Sequence, residues 1–376
     1  MISGKRIIIV LGILELGGAE RQAMLLARHL KNEEGANVQV WGFQMPGRVA
    51  QLCDVYGIPW RIVPIKLTRR PVQLLINLFK YARKLRNEQP DVLLSYTIFP
   101  NVVCGLVWRL TCAKIYVWNQ RDVGIQRFGS KILERIAVLN TRHFVSNSRQ
   151  GYDFLVKTFG LNRKSVRVIH NGVELDNPEA DRSEWLARLG VTERCMLACM
   201  VANLSLSKDH VTLLKAWRII IDRLKQNEKM PVLLLAGRFD QNYEMLKEMS
   251  VQLNLGESIR FLGQVKDVAG LLGAVDLGVF SSRSEGMPNG VLECMAAGLP
   301  VAATDIPCIR EAVGQEGCPY LAPPGDADVL ADKILLLMQS RKLRDQVGAA
   351  NSHRITQEFN PQHTCKQMAD FISQYV

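Results

Sequence analysis

Glu285 and Glu293 are the side chains of this sequence whose type and spacing most suggest chemistry. They stand in the string SEGMPNGVLECMAAGLPVAATD with seven residues between them, so both can face one ligand. Like charges repel, so neither carboxylate favours a phosphate directly. Both suit hydroxyl groups, as on a sugar and a ribose, because an ionised carboxylate only accepts hydrogen bonds. Ordinary structure offers the same spacing: one carboxylate caps a turn and the other is a solvated helix residue. Lys208 is the matching cation. It lies in VANLSLSKDH, after an apolar run and at a helix start, where an ammonium can lie over a diphosphate as a point charge. A plain first-turn lysine is the alternative, slightly unfavourable beside the positive end of the helix dipole.

The elements around these residues must hold them at the end of a strand. Leu277-Gly278-Val279-Phe280 is an apolar run of the kind buried in a parallel sheet. The turn-rich Glu285-Gly286-Met287-Pro288-Asn289-Gly290 follows, then a helix expected over 289–297, closed by Gly298 and Pro300. Val301-Ala302-Ala303 is the next strand. In such a β–loop–α–β unit ligands bind at the carboxyl end of the first strand, and the helix start favours anions. Near the amino terminus, a strand at 6–11 and a helix at 19–31 flank Gly12-Ile13-Leu14-Glu15-Leu16-Gly17-Gly18. Paired glycines let backbone N–H groups approach a phosphate, although a tight turn uses the same residues. The string is neither a dinucleotide GxGxxG nor a P-loop.

The alternation runs on. Strands are expected at 38–43, 61–64, 92–96, 115–118, 144–147 and 166–169, with helices near 48–56, 71–88, 99–112, 129–140 and 148–159. After a polar stretch, 174–194, that reads as a linker, strands follow at 196–202, 232–236, 259–262, 278–281 and 301–303. Helices are expected there at 208–226, 242–254, 266–273, 289–297 and 326–340, and the tail reads as two more around Pro361. This is the α/β pattern of doubly wound parallel sheets. A chain of 376 residues accommodates two such domains, and 48% hydrophobic with 22% charged residues marks it as globular. Nine cysteines show no C-x-x-C pair and no zinc-ligand spacing, so reduced thiols are expected. Asp326-Ala327-Asp328 formally reads D-x-D, but it opens a helix and suits capping, so no metal is expected. Lys5-Arg6 before IIIVLGIL imitates a signal peptide until Glu15 interrupts it. No apolar run approaches the roughly 18 residues of a membrane span.

SEGMPNGVLECMAAGLPVAATD resembles the E-x7-E region of the retaining glycosyltransferases of family 4, which have the GT-B fold. Glu-Gly, Pro, Glu, Met-Ala and Gly-x-Pro-Val match in order. GGAERQ resembles that family's amino-terminal glycine loop, and His170-Asn171-Gly172-Val173-Glu174 its hinge entry. The resemblance implies two Rossmann-like domains facing an interdomain cleft, an acceptor domain at 1–176 and a donor domain at 177–355. A closing helix, 356–376, would cross back to the first. By resemblance Glu285 lies beside the donor sugar and its phosphates as a catalytic group, and Glu293 binds the ribose. Lys208 holds the diphosphate, with Gly17 and Gly18 on the other side of the donor. Gly286, Met287, Pro288, Asn289 and Gly290 form the donor loop. The implied activity is retaining transfer of a hexose from a UDP- or GDP-sugar to a lipid-linked or polysaccharide acceptor in cell-surface glycan synthesis. It needs no metal or other cofactor, and the leaving diphosphate helps take the acceptor proton.

Two positions depart from the family pattern. Asn203 stands where an arginine is usual, so either Asn203 donates a neutral hydrogen bond or Arg238 or Arg283 supplies the charge. A histidine usual after the 115–118 strand is absent from Trp118-Asn119-Gln120-Arg121-Asp122. Arg121 or Asp122 can contact donor or acceptor there, with Asp122 a catalytic candidate, or the two form a loop ion pair. Two other readings stay open: a nucleotide-sugar epimerase of the same fold, which needs no acceptor, and a non-catalytic sugar- or nucleotide-binding protein.

Charge suggests a further partner. The net charge is +11, yet residues 1–176 hold 26 Lys+Arg against 12 Asp+Glu, and residues 177–376 hold 21 against 24. The first half therefore suits an anionic partner. KLTRRPVQLLINLFKYARKLR, residues 66–86, sets Leu74, Leu75, Leu78, Phe79, Ala82 and Leu85 at helical spacing among Lys66, Arg69, Arg70, Lys80, Arg83, Lys84 and Arg86. Such a helix can lie in the headgroups of an anionic membrane, or pack its stripe on the sheet with its charges solvated. With the surplus of the whole half, the first account is the expectation: a cytoplasmic protein, peripheral on the inner face of the cytoplasmic membrane. No aromatic-interleaved basic groove accompanies the charge, so nucleic acid is not an expected partner.

Overall fold

The computed structural model describes residues 2–125, 127–224 and 230–376. They divide into two units, Met1–Gly172 with Pro361–Val376, and Val173–Asn360. In the first, short apolar runs pair in parallel as β1 (Arg6–Leu11), β2 (Asn37–Gly42), β3 (Trp60–Ile62), β4 (Val92–Tyr96), β5 (Ile115–Gln120), β6 (His143–Ser146) and β7 (Val166–Val168). Their order is β3-β2-β1-β4-β5-β6-β7. Side chains alternate across a strand, so Ile7, Ile9 and Leu11 enter one core while Ile8 and Val10 enter the other. α1 (Gly18–Asn32), α2 (Arg48–Val55) and the closing helix (Pro361–Ser373) cover the first core. α3 (Pro71–Asn87), α4 (Ile98–Val107), α5 (Lys131–Asn140) and α6 (Arg149–Phe159) cover the second.

The second unit opens on α7 (Arg182–Leu189), a correction to the linker expected over 174–194. Asp181 accepts a hydrogen bond from the Glu184 amide at 2.9 Å and Glu184 accepts from the Asp181 amide at 3.0 Å, while Trp185, Leu186 and Leu189 are buried. Charged residues in and around the helix disguise a short amphipathic element that its capping box starts. Then come β8 (Leu197–Val201), α8 (His210–Arg223), β9 (Val232–Ala236), α9 (Tyr243–Gln252), β10 (Ile259–Gly263), α10 (Val268–Ala274) and β11 (Leu277–Phe280). α11 (Asn289–Ala296), β12 (Val301–Thr304), α12 (Pro307–Gly317), β13 (Leu321–Ala322), α13 (Ala327–Gln339) and α14 (Arg341–Glu358) complete it. α12 and the two-residue β13 had no clear sequence signal. The Asp326 side chain caps α13 by accepting from the Val329 amide at 3.0 Å.

The sheet order is β10-β9-β8-β11-β12-β13. From β8 the chain builds outward through β9 and β10, then returns to the other side of β8 as β11. The reversal opens a crevice at the carboxyl ends of β8 and β11, where open α/β sheets bind ligands. The loop after β8 carries Asn203 and Lys208; the loop after β11 carries Glu285. All nine cysteines are free. No helix among the described residues is long and apolar enough to cross a membrane.

Gly290 seats α11 against this switch point. A Cβ there would lie 2.2 Å from the Val201 carbonyl oxygen, so the helix start must shift to admit any side chain. Gly290→Ala is therefore expected to cost about 1–3 kcal/mol of stability. Urea unfolding of the variant checks it, and an unchanged midpoint would refute the close approach.

Candidate active site

Lys208 and Glu285 meet: the ammonium Nζ donates to Glu285 Oε1. Ser282 Oγ donates to the same oxygen at 2.8 Å, and the Ser282 carbonyl accepts from Thr304 Oγ1 at 2.6 Å. The Glu285 loop is thus fixed from β12. A second set of bonds ties the Lys208 loop to it. Ser281 Oγ donates to the Lys208 carbonyl at 3.0 Å, and the Arg283 amide to the Ser207 carbonyl at 2.8 Å. Asp209 has a left-handed backbone, φ 46° and ψ 45°, which a non-glycine residue adopts at a cost. Its buried carboxylate accepts from Arg283 Nε at 2.9 Å, Arg283 Nη2 at 3.2 Å and Thr212 Oγ1 at 2.8 Å. A buried charge needs such partners, and they hold the backbone turn that carries Lys208.

Apart from Gly17 and Gly18, the other expected donor residues lie in the same unit. Gly286, Met287 and Pro288 are buried, Asn289 and Gly290 begin α11, and Glu293 is buried one turn along it. Asn203 Oδ1 accepts from the Arg238 backbone amide at 3.1 Å, leaving its NH2 group as the donating end. Arg238 pairs with Asp240 at 2.8 Å. Both arginines considered as replacements for the missing charge therefore already face a carboxylate. Lys208 is the cation beside Glu285. Among the described residues no three His, Cys, Asp or Glu side chains gather to hold a metal ion.

In the first unit, Gly17 caps α1 and Gly18 opens it. A Cβ at Gly17 would lie 2.6 Å from Glu20 Oε2, so a glycine lets this carboxylate fold back over the helix start. Glu20 was not singled out from the sequence, where a first-turn acid reads as ordinary dipole pairing. Burial raises its pKa, opposed by the helix-start amides and by the Arg121 charge. Arg121 stacks over the Tyr96 ring at 4.7 Å and donates to Asn171 Oδ1 at 3.1 Å. Its Nε is buried without a partner, and burial pulls its pKa down against the Tyr96 and Glu20 contributions. Asp122 shapes the loop: its Oδ1 accepts from Gln120 Nε2 and from the Gly124 amide, both at 2.8 Å.

α3 divides the stripe read from its sequence. Leu78, Ala82 and Leu85 join Tyr81 in the core, whereas Leu75 and Phe79 are exposed with Val72 and Ile76. Arg69, Arg70, Lys80, Arg83 and Lys84 are all exposed.

The family profile "Glycosyltransferase Family 4" matches residues 16–177, and "Glycosyl transferases group 1" matches residues 181–354. The chain belongs to the family 4 type of glycosyltransferases. Its fold is GT-B, as in the Anabaena HepE protein crystallised with UDP-glucose, with a TM-score of 0.84 at 21% identity over 98% of this chain and 99% of that one. Bacillus subtilis EpsD, a putative glycosyltransferase, is 30% identical over 193 residues, 50% of this chain and 48% of that one. The Escherichia coli UDP-Gal:alpha-D-GlcNAc-diphosphoundecaprenol alpha-1,3-galactosyltransferase is 23% identical over 298 residues, 74% of this chain and 75% of that one. This glycosyltransferase thus matches about half of one curated relative's length and three quarters of the other's.

His210 opens α8 beside the Lys208 loop of this glycosyltransferase. It is 2% exposed, and neither ring nitrogen has a partner. Burial first and Lys208 second, offset by Asp209, push its pKa down to about 4 from the ordinary 6.5. The unfolded chain takes up a proton near pH 6.5 that the folded protein refuses until about pH 4. Stability is therefore lost as pH falls through that window. Between pH 7.5 and 5 the loss should reach about 2 kcal/mol. Urea unfolding at both pH values should show it, and His210→Phe should flatten it; an unchanged difference in the variant would contradict the assignment.

Proposed function

We propose that this glycosyltransferase moves a hexose from a UDP- or GDP-sugar to a lipid-linked or polysaccharide acceptor in cell-surface glycan synthesis. The anomeric configuration is retained and no metal is used. The observation that carries the reading is the Lys208–Glu285 contact at the sheet's switch point, beside the start of α11. The names of HepE's ligand and the E. coli relative's substrates support the donor and acceptor classes.

When a donor enters, Lys208 turns from Glu285 to the diphosphate, and Glu285 accepts from the sugar hydroxyls. Glu293 takes the ribose hydroxyls, and the Asn203 amide donates to a phosphate oxygen. The acceptor oxygen forms its bond to the anomeric carbon on the face from which the diphosphate oxygen departs. The acceptor proton passes to the departing phosphate. The ammonium and the α11 amides stabilise the charge that develops there, and they act more strongly on the product than on the donor. α3 seats the protein on the anionic inner face of the cytoplasmic membrane, where a lipid-linked acceptor would lie.

A panel of UDP- and GDP-sugars, scored for binding and then for acceptor-dependent sugar release, tests the function directly. Lys208→Ala should weaken UDP or GDP at least about tenfold while the bare nucleoside loses little, since a lost charged hydrogen bond is worth about 1.5–3 kcal/mol. Equal losses would remove Lys208 from the diphosphate. Glu285→Gln should fold normally and lose most turnover at saturating donor; an active variant would sink its role. Sugar change or release that ignores acceptor would favour an epimerase.

A further inference from the structure

We infer that α5 is a second membrane-seating helix, which with α3 forms a two-helix apolar face for an anionic bilayer; this rests on the membrane reading above. α5 has an outward row that the fold does not use. Ile132, Ile136 and Leu139 are 74%, 49% and 70% exposed, at the i, i+4, i+7 spacing of one helix face. The opposite side, Glu134, Ala137 and Val138, is buried. Glu134 is the helix's only acid, and Arg127 pairs with it at 3.2 Å. Lys131, Arg135 and Arg142 are exposed around the row, so its outer face is apolar and cationic.

The inner residues fix the direction. Leu78, Tyr81 and Ala82 of α3 and Ala137 and Val138 of α5 enter the same core on the same face of the seven-stranded sheet. α4 lies between the two helices, touching both, and is buried along most of its length. The row Val72, Leu75, Ile76 and Phe79 on α3 therefore turns away from the sheet on the same side as the α5 row. Two apolar rows in one layer give a broader contact than one helix, and a patch of that kind marks an interaction site. Charge decides the occupant. From Val55 to Asn87 the chain has eight Lys+Arg and no Asp or Glu. Cations bordering apolar side chains match headgroups above acyl chains, each basic residue adding about 1 kcal/mol near such a surface.

Co-sedimentation of the full chain with vesicles tests the inference, using phosphatidylcholine alone and phosphatidylcholine mixed with phosphatidylglycerol. Two variants are compared, Ile132→Ser with Ile136→Ser and Leu139→Ser, and Val72→Ser with Leu75→Ser and Phe79→Ser. All six side chains are exposed, so unchanged thermal midpoints and UDP or GDP binding confirm folding. Each variant should lose at least about tenfold in affinity for the mixed vesicles, because burying apolar side chains supplies much of such binding. Loss with the α3 variant alone overturns the α5 inference and leaves the α3 reading standing. Loss with neither, or equal binding to neutral vesicles, overturns both. A dimer in sedimentation velocity that the α5 variant dissociates, with vesicle binding intact, would assign the α5 row to a second copy and overturn the inference.

Discussion

The contact between Lys208 and Glu285 sets the terms for the second unit's candidate site. Two loops from either side of a topological switch point must bring an ammonium and a carboxylate together in a partly buried place. Neither loop can do so alone. The cost of ordering them is met by bonds one layer back: Asp209 with Arg283 and Thr212, Ser281 with the Lys208 carbonyl, Thr304 with the Ser282 carbonyl. Asp209 illustrates the trade. Its left-handed backbone is unfavourable for a residue with a side chain, yet its buried carboxylate gains three donors there.

The ionic groups around this contact are arranged as neutral pairs. Arg283 faces Asp209, Arg238 faces Asp240, and Lys208 faces Glu285. On the proposed reading, an entering diphosphate recruits a cation from one of them. The Asp209 pair secures the loop and its carboxylate is buried, so parting it would leave a charge unpaired in the interior. Lys208 can turn away at less cost, because Glu285 keeps the Ser282 hydroxyl and, on the proposed reading, gains sugar hydroxyls to accept from. In that reading the same exchange frees Glu285 for the substrate as the phosphates arrive.

Sequence reasoning reached the parallel sheets because their strands are continuous apolar runs such as RIIIVL and VLLLA, separated by helical patterns. It singled out Glu285, Glu293 and Lys208 because each stands in a motif contiguous in the chain. Arg283 was legible as a cation but not as the partner of Asp209, since that pairing joins loops 74 residues apart. Glu20 was hidden for a related reason: Arg121, whose charge acts on it, lies 101 residues away in the chain and comes near only on folding. On α3, periodicity found an apolar stripe but could not say which edge faces the core. A helix rotated slightly about its axis exchanges Leu75 and Phe79 for Tyr81, and only packing fixes that angle.

If the site works by exchange of partners, the carboxylate competes with the diphosphate for one ammonium. Calorimetry of UDP or GDP binding to Glu285→Gln measures that competition directly. The exchange predicts tighter diphosphate binding than in the unaltered protein, because the amide removes both the competing charge and its repulsion of the phosphates. Weaker binding in a folded variant would contradict it, and would mean that Glu285 helps hold the diphosphate.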